Sequence, residues 1–219
     1  MDSFIFGFFA IAYVLLLIWG LRTHKKWTFS SVLFFVVGAL IYDNTIYALG
    51  ILIGEGALLE FLSLLRFWFH MLFTPTLILF SVMAMSEAGI EWAQKAWVVW
   101  LTVVYAIAAM IVEYVTVLNG LTLEVSEQYG ALSYSSAEEA SGPPMMIILV
   151  LIALVIAGIM LWWKAKWPWL FVGTVIMTIG SAVPIDIGSN ALTNAFELLL
   201  LFTLVWTKKQ LDLGKLRAR

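Results

Sequence analysis

Cysteine is absent from this chain of 219 residues, which excludes disulfides, thiolate nucleophiles and thiolate metal ligands. Charge is scarce, since 12% of the residues are Asp, Glu, Lys or Arg, against roughly 25% in soluble domains. The 12 basic and 14 acidic residues nearly balance, so no nucleic-acid partner is expected. No basic stretch precedes the first apolar run, as a cleavable signal peptide requires, so we expect that run to stay in the membrane.

Apolar residues dominate what is present. They make up 63% of the chain, and the mean hydropathy is +1.00. Because a transmembrane helix needs about 20 mostly apolar residues, seven stretches qualify. The sequence predicts an all-α fold, a single-domain bundle of seven transmembrane helices over residues 1–219. The predicted helices are Phe4–Leu21, Ser30–Ile53, Ala57–Met85, Ala93–Leu118, Met145–Trp163, Trp167–Ile185 and Ser189–Trp206.

Three of these regions carry further expectations. Pro75 lies within the third segment and is expected to kink it, because apolar residues continue beyond it. The fifth segment has no polar residue, so we expect it to face lipid. The connection from Asn119 to Pro144 is acidic and rich in serine. It is either a solvated connector or a lid over an outward-facing site.

Basic residues predict the orientation. If the connections after the first, third and fifth segments and the C-terminal tail are cytoplasmic, 11 of the 12 Lys and Arg residues lie there, and only Arg66 does not. Ten of the 11 tryptophans lie near the same interface, as in an aromatic belt. We therefore expect the N-terminus outside and the C-terminus in the cytoplasm. We also expect membrane lipids as partners.

Seven polar residues within the predicted helices form the candidate site. Ionisable groups in hydrocarbon are costly and commonly functional. Helical periodicity places them on inward faces of four helices, and a rise of 1.5 Å per residue places most of them near one depth. The candidate ligand-binding or proton-relay residues are Asp43, Asn44, Arg66, His70, Glu113, Asn194 and Glu197. Asn190 shares the face of Asn194 and Glu197.

The acidic residues of this group outnumber its basic residues. Arg66 stays protonated and needs a partner, for which Asp43 and Glu197 lie at the right depth. At least one carboxylate then lacks a fixed counter-charge, and a proton, a metal ion or a cationic ligand can neutralise it. A purely structural reading is also open, in which Arg66 clamps two helices and His70 and the asparagines serve packing.

Several classes of site are not supported. The last segment, Ser189–Trp206, contains no Lys, so no retinal Schiff base is expected. His70 is the one histidine within a predicted helix, which makes a zinc site a weak hypothesis, and we assign no metal ligand. The chain has neither a glycine-rich phosphate loop nor a serine-nucleophile motif, and the sequence assigns no cofactor.

A family resemblance rests on a few short runs. Tyr42-Asp43-Asn44, Gly54-Glu55-Gly56, Arg66-Phe67 with His70, and Asn194-Ala195-Phe196-Glu197 resemble a pattern in bacterial polytopic integral membrane proteins of uncharacterised activity. The resemblance covers most of the chain and implies a bacterial inner, or plasma, membrane. It implies no activity and carries no site residues.

Three functions remain open on the sequence. The first is binding or transport of a small solute, cation or proton at a midplane site open to the extracytoplasmic side. The second is an intramembrane enzyme acting on a lipid or isoprenoid, with His70 or a carboxylate as acid or base and Arg66 holding an anionic head group. The third is a structural or accessory subunit.

Overall fold

The computed structural model describes residues 2–24, 27–128, 130–137, 144–182 and 191–218. Within these residues the chain is mostly helical. The helices are α1 (Asp2–Leu21), α2 (Leu33–Ile53), α3 (Ala57–Phe73), α4 (Thr76–Glu87), α5 (Ala96–Glu113), α6 (Met145–Ala165), α7 (Trp169–Ala182) and α8 (Ala191–Asp212). Two strands, β1 (Leu123–Gln128) and β2 (Ala131–Ser136), lie between α5 and α6.

Within the part of the chain that the structure describes, six helical stretches are long and apolar enough to cross a membrane. They are α1, α2 with its preceding 3₁₀ turn, α3 together with α4, α5 with its final turn, α6 and α8. Helix α7 is apolar but shorter, and the expected ends at Ile185 and Ser189 lie outside the described residues. The chain is therefore an integral membrane protein, as its composition predicts.

Pro75 does more than kink a helix. Helix α3 ends at Phe73 and α4 begins at Thr76, so the single predicted segment is two helices. Proline has no N–H to donate, and its ring crowds the preceding turn. Across the break the Leu77 N–H donates to the Thr74 carbonyl at 3.1 Å, a tighter turn than in an α-helix. The break places the end of α3, with His70, beside the start of α4.

Several other predicted boundaries differ from the structure by a few residues, among them those of α5 and α8. Helix α5 begins at Ala96, after a 3₁₀ turn, and passes into a π-helical turn at Tyr114–Leu118. Helix α8 continues to Asp212, well beyond the predicted end at Trp206, so Lys208 and Lys209 belong to the helix and not to a tail. The sequence placed that end too early because charged residues stop an apolar run without stopping a helix.

The connection between α5 and α6 contains an antiparallel hairpin, so the expectation of a purely α-helical chain is incomplete. Strand β2 packs on α2 and α3. The backbone N–H of Tyr134 donates to Ser63 Oγ at 3.2 Å, and the Gly56 N–H donates to Tyr134 Oη at 3.1 Å. The described part of this connection is thus docked on the bundle.

Gly50 allows the hairpin to approach α2. A Cβ at Gly50 would overlap with the carbonyl oxygen of Leu132, whereas a Cβ at Gly38 on the same helix would meet nothing within 4 Å. We expect Gly50→Ala to destabilise the protein by about 1–3 kcal/mol through overpacking, and Gly38→Ala to be neutral. Thermal unfolding of both purified variants in detergent measures this. Equal unfolding temperatures of the two variants would show that the hairpin does not pack closely against Gly50.

The bundle has two distinct ends. At the first, the hairpin end, Ser3 of α1 donates to the carbonyl of Gly130, and α2 and α3 meet β2. At the second, the Lys208 end, α4 and α8 are joined by Lys208 and Glu87. The connection after α1 reaches α8 there through His24 and Asp212.

Helix α6 does not simply face lipid, contrary to the sequence expectation. One of its faces is buried against α4, α5 and α7. Close packing supports this face, since a Cβ at Gly158 would lie 2.7 Å from Phe171 Cα. An apolar helix has no polar stripe to mark its buried side, so sequence alone cannot distinguish packing against helices from packing against lipid. The buried residues are Met146, Val150, Ala153, Leu154, Ala157, Gly158 and Leu161.

Candidate functional site

An ion pair between α2 and α3 lies at the centre of the site. Arg66 Nε is 2.7 Å from Asp43 Oδ1, and the two side chains are 9% and 25% exposed. The guanidinium carbon of Arg66 also lies 3.7 Å from the ring centroid of Tyr47. Asp43 and Tyr47 are four residues apart and share a face of α2, so one helix supplies both an anion and an aromatic face.

The guanidinium is only partly satisfied by these contacts. Arg66 Nη1 is buried and has no hydrogen-bond partner among the described residues. A buried donor of this kind is costly to leave unpaired. A ligand with an acceptor atom is one way to satisfy it.

His70 lies one turn beyond Arg66 on α3 and faces the same side. Its Nδ1 is 3.3 Å from Thr74 Oγ1, and its Nε2 is 3.9 Å from Glu113 Oε1 of α5. The His70 side chain is 39% exposed and that of Glu113 is 11% exposed. His70 and Glu113 thus form a loose pair at the edge of the bundle, which leaves the imidazole accessible.

A central cavity of about 80 Å³ adjoins the ion pair. Its polar lining is Asp43, Arg66, His70, Thr74 and Glu197. Its other walls are mainly aliphatic side chains from α2, α4, α6, α7 and α8. The volume admits several water molecules or a small chemical group.

Glu197 enters this cavity from α8. Among the described residues, the carboxylate has neither a hydrogen bond nor an ion pair, and Asp43 acts on it as a like charge. The sequence offered Asp43 and Glu197 as partners for Arg66, and the structure pairs Arg66 with Asp43. Glu197 therefore has no fixed counter-charge among the described residues.

A side cavity of about 290 Å³ lies between α3 and α5. It is lined by Asp43, Arg66, Phe67, His70, Glu113 and Val117. Asp43, Arg66 and His70 therefore line both cavities. The ion pair and the imidazole stand between the two spaces, with Glu197 in the central cavity and Glu113 in the side cavity.

Two predicted site residues do not line either cavity. The Asn44 side-chain amide donates to the carbonyl of Leu40 at 2.9 Å, on its own helix. Asn194 is buried on α8. Asn190 lies outside the described residues. The structure thus brings together Asp43, Arg66, His70, Glu113 and Glu197, and places neither described asparagine in the lining of the two cavities.

Tyr13 of α1 was missed by the sequence analysis. Its side chain is fully buried, and its hydroxyl has no hydrogen-bond partner among the described residues. It is close enough to Glu197 and Asp43 to interact with both electrostatically. The available signal was a single phenol in the middle of an apolar helix, since buried tyrosine hydroxyls usually have a partner. α1 therefore contributes a fifth helix to the site.

A second buried polar cluster, the Lys208 cluster, lies at the other end of the bundle. Lys208 is 1% exposed, and its Nζ lies 2.5 Å from Asp212 Oδ1 and 3.4 Å from Glu87 Oε2. Glu87 Oε1 also accepts hydrogen bonds from Thr28 and Ser30 at 2.7 and 2.6 Å. The sequence missed this cluster because its members come from three separate parts of the chain.

The Lys208 cluster also changes the argument about retinal. The last helix does contain lysines, contrary to the premise drawn from Ser189–Trp206. The Lys208 ammonium is ion-paired with two carboxylates and lines neither cavity of the candidate site. The absence of a retinal Schiff base therefore stays a prediction. Its reason is now the pairing of Lys208 with two carboxylates.

Comparison with known proteins adds no identity. No family model, no curated protein and no solved structure matches this chain. The resemblance to bacterial membrane proteins stays a prediction. Within the described residues, no group of three or more His, Asp or Glu side chains is arranged to hold a metal ion.

Proposed function

We propose that this protein is an integral membrane binding or transport protein that takes up a proton or a small cation at Glu197. The observation that carries the proposal is a half-buried carboxylate on α8 that faces a cavity inside the bundle and has no counter-charge among the described residues. Ionisable residues placed in this way are typical of ion and proton pathways through membranes.

The charge balance of the site favours a cationic ligand. Asp43, Glu113 and Glu197 face a single guanidinium, so the fully ionised site is anionic while His70 is neutral. Burial makes such an excess unfavourable. Binding of a cation or a proton removes it, whereas an anionic ligand adds to it.

A purely structural role is less well supported, because the chain contains a structural cluster for comparison. In the Lys208 cluster the ammonium contacts two carboxylates, and Glu87 has hydroxyl donors as well. Among the residues that the structure describes, the central group has a buried guanidinium nitrogen without a partner and an unpaired carboxylate beside a cavity. A group that only fixes helix packing gains nothing from unmet hydrogen bonds.

The proposal includes seven membrane segments, with the hairpin end outside and the Lys208 end in the cytoplasm. The described connections at the hairpin end hold Glu55, Glu124 and Glu127 and no Lys or Arg. The connections at the other end hold basic residues, in keeping with the positive-inside rule. The resemblance stated above places this orientation in a bacterial inner membrane.

This orientation predicts the location of fused reporters. A reporter after Arg219 is expected in the cytoplasm, and a tag before Asp2 is expected outside, because basic residues are retained on the cytoplasmic side. Enzymatic reporters that are active on one side only measure this in cells. The same reporter inserted after Ser136 should behave like the N-terminal tag. A tail found outside would place the hairpin in the cytoplasm and reject the orientation.

Substitution at Glu197 tests the functional proposal directly. Glu197→Gln keeps the shape of the side chain and abolishes its charge, so we expect normal folding and a loss of at least tenfold in cation or proton binding. The assay follows the internal pH of proteoliposomes with an enclosed dye. Methylammonium, sodium or potassium is added as the cation. Glu60→Gln on the exposed face of α3 is the matched control. If both variants respond like the parent protein, Glu197 is not the binding group.

One observation keeps an enzymatic function as a second candidate. The accessible His70 and the Glu113 carboxylate lie 3.9 Å apart at the side cavity, where they supply the groups of an acid–base pair. Arg66, in the same cavity, can bind an anionic head group. Conversion of an added membrane lipid or isoprenoid by the parent protein, with loss of conversion in His70→Gln, would favour this function over transport.

A further inference from the structure

We infer that the candidate site is entered from the side, through the cleft between α3 and α5, and that its ligand is a lipophilic amine dissolved in the bilayer. This inference rests on the proposed function, because it names the cation that Glu197 binds and the route by which it arrives. Three features carry it: the surroundings of the side cavity, the packing above the ion pair, and the walls of the central cavity.

The two helices that flank the side cavity carry exposed apolar residues on their outer faces. On α5 and its final turn, Ile111 and Tyr114 are 57% and 45% exposed, and on α3 Trp68 is 38% exposed. The rings of Trp68 and Tyr114 lie 6.4 Å apart and bridge the two helices. Exposed apolar side chains on membrane-spanning helices face hydrocarbon, so a cleft between α3 and α5 opens toward lipid.

Direct access from the hairpin end is obstructed on the side of α1, α2 and α3. The rings of Phe6 and Tyr47 are stacked 4.6 Å apart, and Tyr47 covers the guanidinium of Arg66. Strand β2 packs over this region, and the space left between the hairpin and Tyr47 is about 40 Å³. The side cavity, at about 290 Å³, is the wider approach to the same ion pair.

The lining of the central cavity indicates the chemistry of the ligand. An apolar body suits the aliphatic walls that α4, α6, α7 and α8 provide. A cationic head suits Glu197, which has no counter-charge among the described residues. A protonated amine also donates hydrogen bonds, as a carboxylate requires. A molecule with both parts concentrates in the bilayer, where the lateral opening gives access to the site.

Spin labels at the opening test the route. Since the chain contains no cysteine, Val117→Cys and Phe67→Cys each give a single labelling site at the side cavity. Collision with oxygen, which dissolves in lipid, is compared with collision with a water-soluble nickel chelate in lipid nanodiscs. Ile111→Cys is the lipid reference, and Glu124→Cys on the exposed hairpin is the water reference.

We expect both opening positions to resemble Ile111, with high oxygen and low nickel accessibility. Agreement of both with the Glu124 reference would overturn lateral entry and would show a water-filled vestibule. If one labelled variant does not fold, the other still reports the accessibility of the same opening from its opposite wall.

Ligand binding tests the chemical class. Thermal unfolding in nanodiscs is titrated with hexylamine, with hexanol of the same chain length, and with methylammonium. We expect hexylamine to stabilise the parent protein at concentrations at least tenfold lower than methylammonium, hexanol to have no effect, and Glu197→Gln to lose the response. Stabilisation by methylammonium alone would reject the lipophilic ligand and keep the proposed function. No Glu197-dependent response to either amine, together with no cation response in proteoliposomes, would reject both.

Discussion

Arg66→Leu is expected to be among the most destabilising single substitutions in this protein. Removing the guanidinium strands Asp43 between helices and removes the cation above the Tyr47 ring. Breaking a buried ion pair by deleting one partner typically costs ~3–5 kcal/mol, chiefly because the remaining charge is uncompensated. Thermal unfolding of the purified variant in detergent measures the loss.

The structure specifies which second substitution rescues this variant. Asp43→Asn should restore much of the stability of Arg66→Leu, because it neutralises the carboxylate that Arg66 contacts. Glu197→Gln should restore less, since Glu197 is not bonded to Arg66 among the described residues. Arg22→Leu, on an exposed side chain, controls for loss of positive charge. If Arg66→Leu unfolds at the temperature of the parent protein, the ion pair does not support the bundle.

Lys208→Met is expected to have an effect of similar size at the opposite end of the bundle. Methionine keeps the length of the side chain but leaves Glu87 and Asp212 without their shared cation. We expect a loss of ~3–5 kcal/mol, again from uncompensated buried charge, and the same thermal unfolding assay measures it. The sequence placed Lys208 in the C-terminal tail beyond Trp206, and a lysine in a solvated tail would give no such loss.

Lys215→Met is the matched control, because Lys215 is exposed and lies just beyond the end of α8. Asp212→Asn added to Lys208→Met should recover part of the stability, since Asp212 lies closest to the ammonium. A Lys208→Met variant as stable as Lys215→Met would show that Lys208 is solvated and that the sequence interpretation was right.

Much of the site follows from helical spacing. Asp43 and Tyr47, and likewise Arg66 and His70, are four residues apart, so each pair must share a face of its helix. The ends of the apolar runs set the depth of each helix in the membrane. Side chains near the middle of different helices therefore lie at a similar depth. Spacing cannot, however, choose between Asp43 and Glu197 as the partner of Arg66, because both lie near the right depth. That choice depends on how α2, α3 and α8 rotate against one another.

The sequence by itself determined the solvent, the approximate spans of the helices and the set of costly charges, because each depends on local composition and on a fixed rise per residue. The tertiary structure decided the partners. It paired Arg66 with Asp43, His70 with Glu113, and Lys208 with Glu87 and Asp212. It also docked a hairpin on Gly50 and turned the apolar α6 into a cavity wall. These contacts join residues far apart in the chain, and their geometry is set by side-chain packing between helices, which no local pattern encodes.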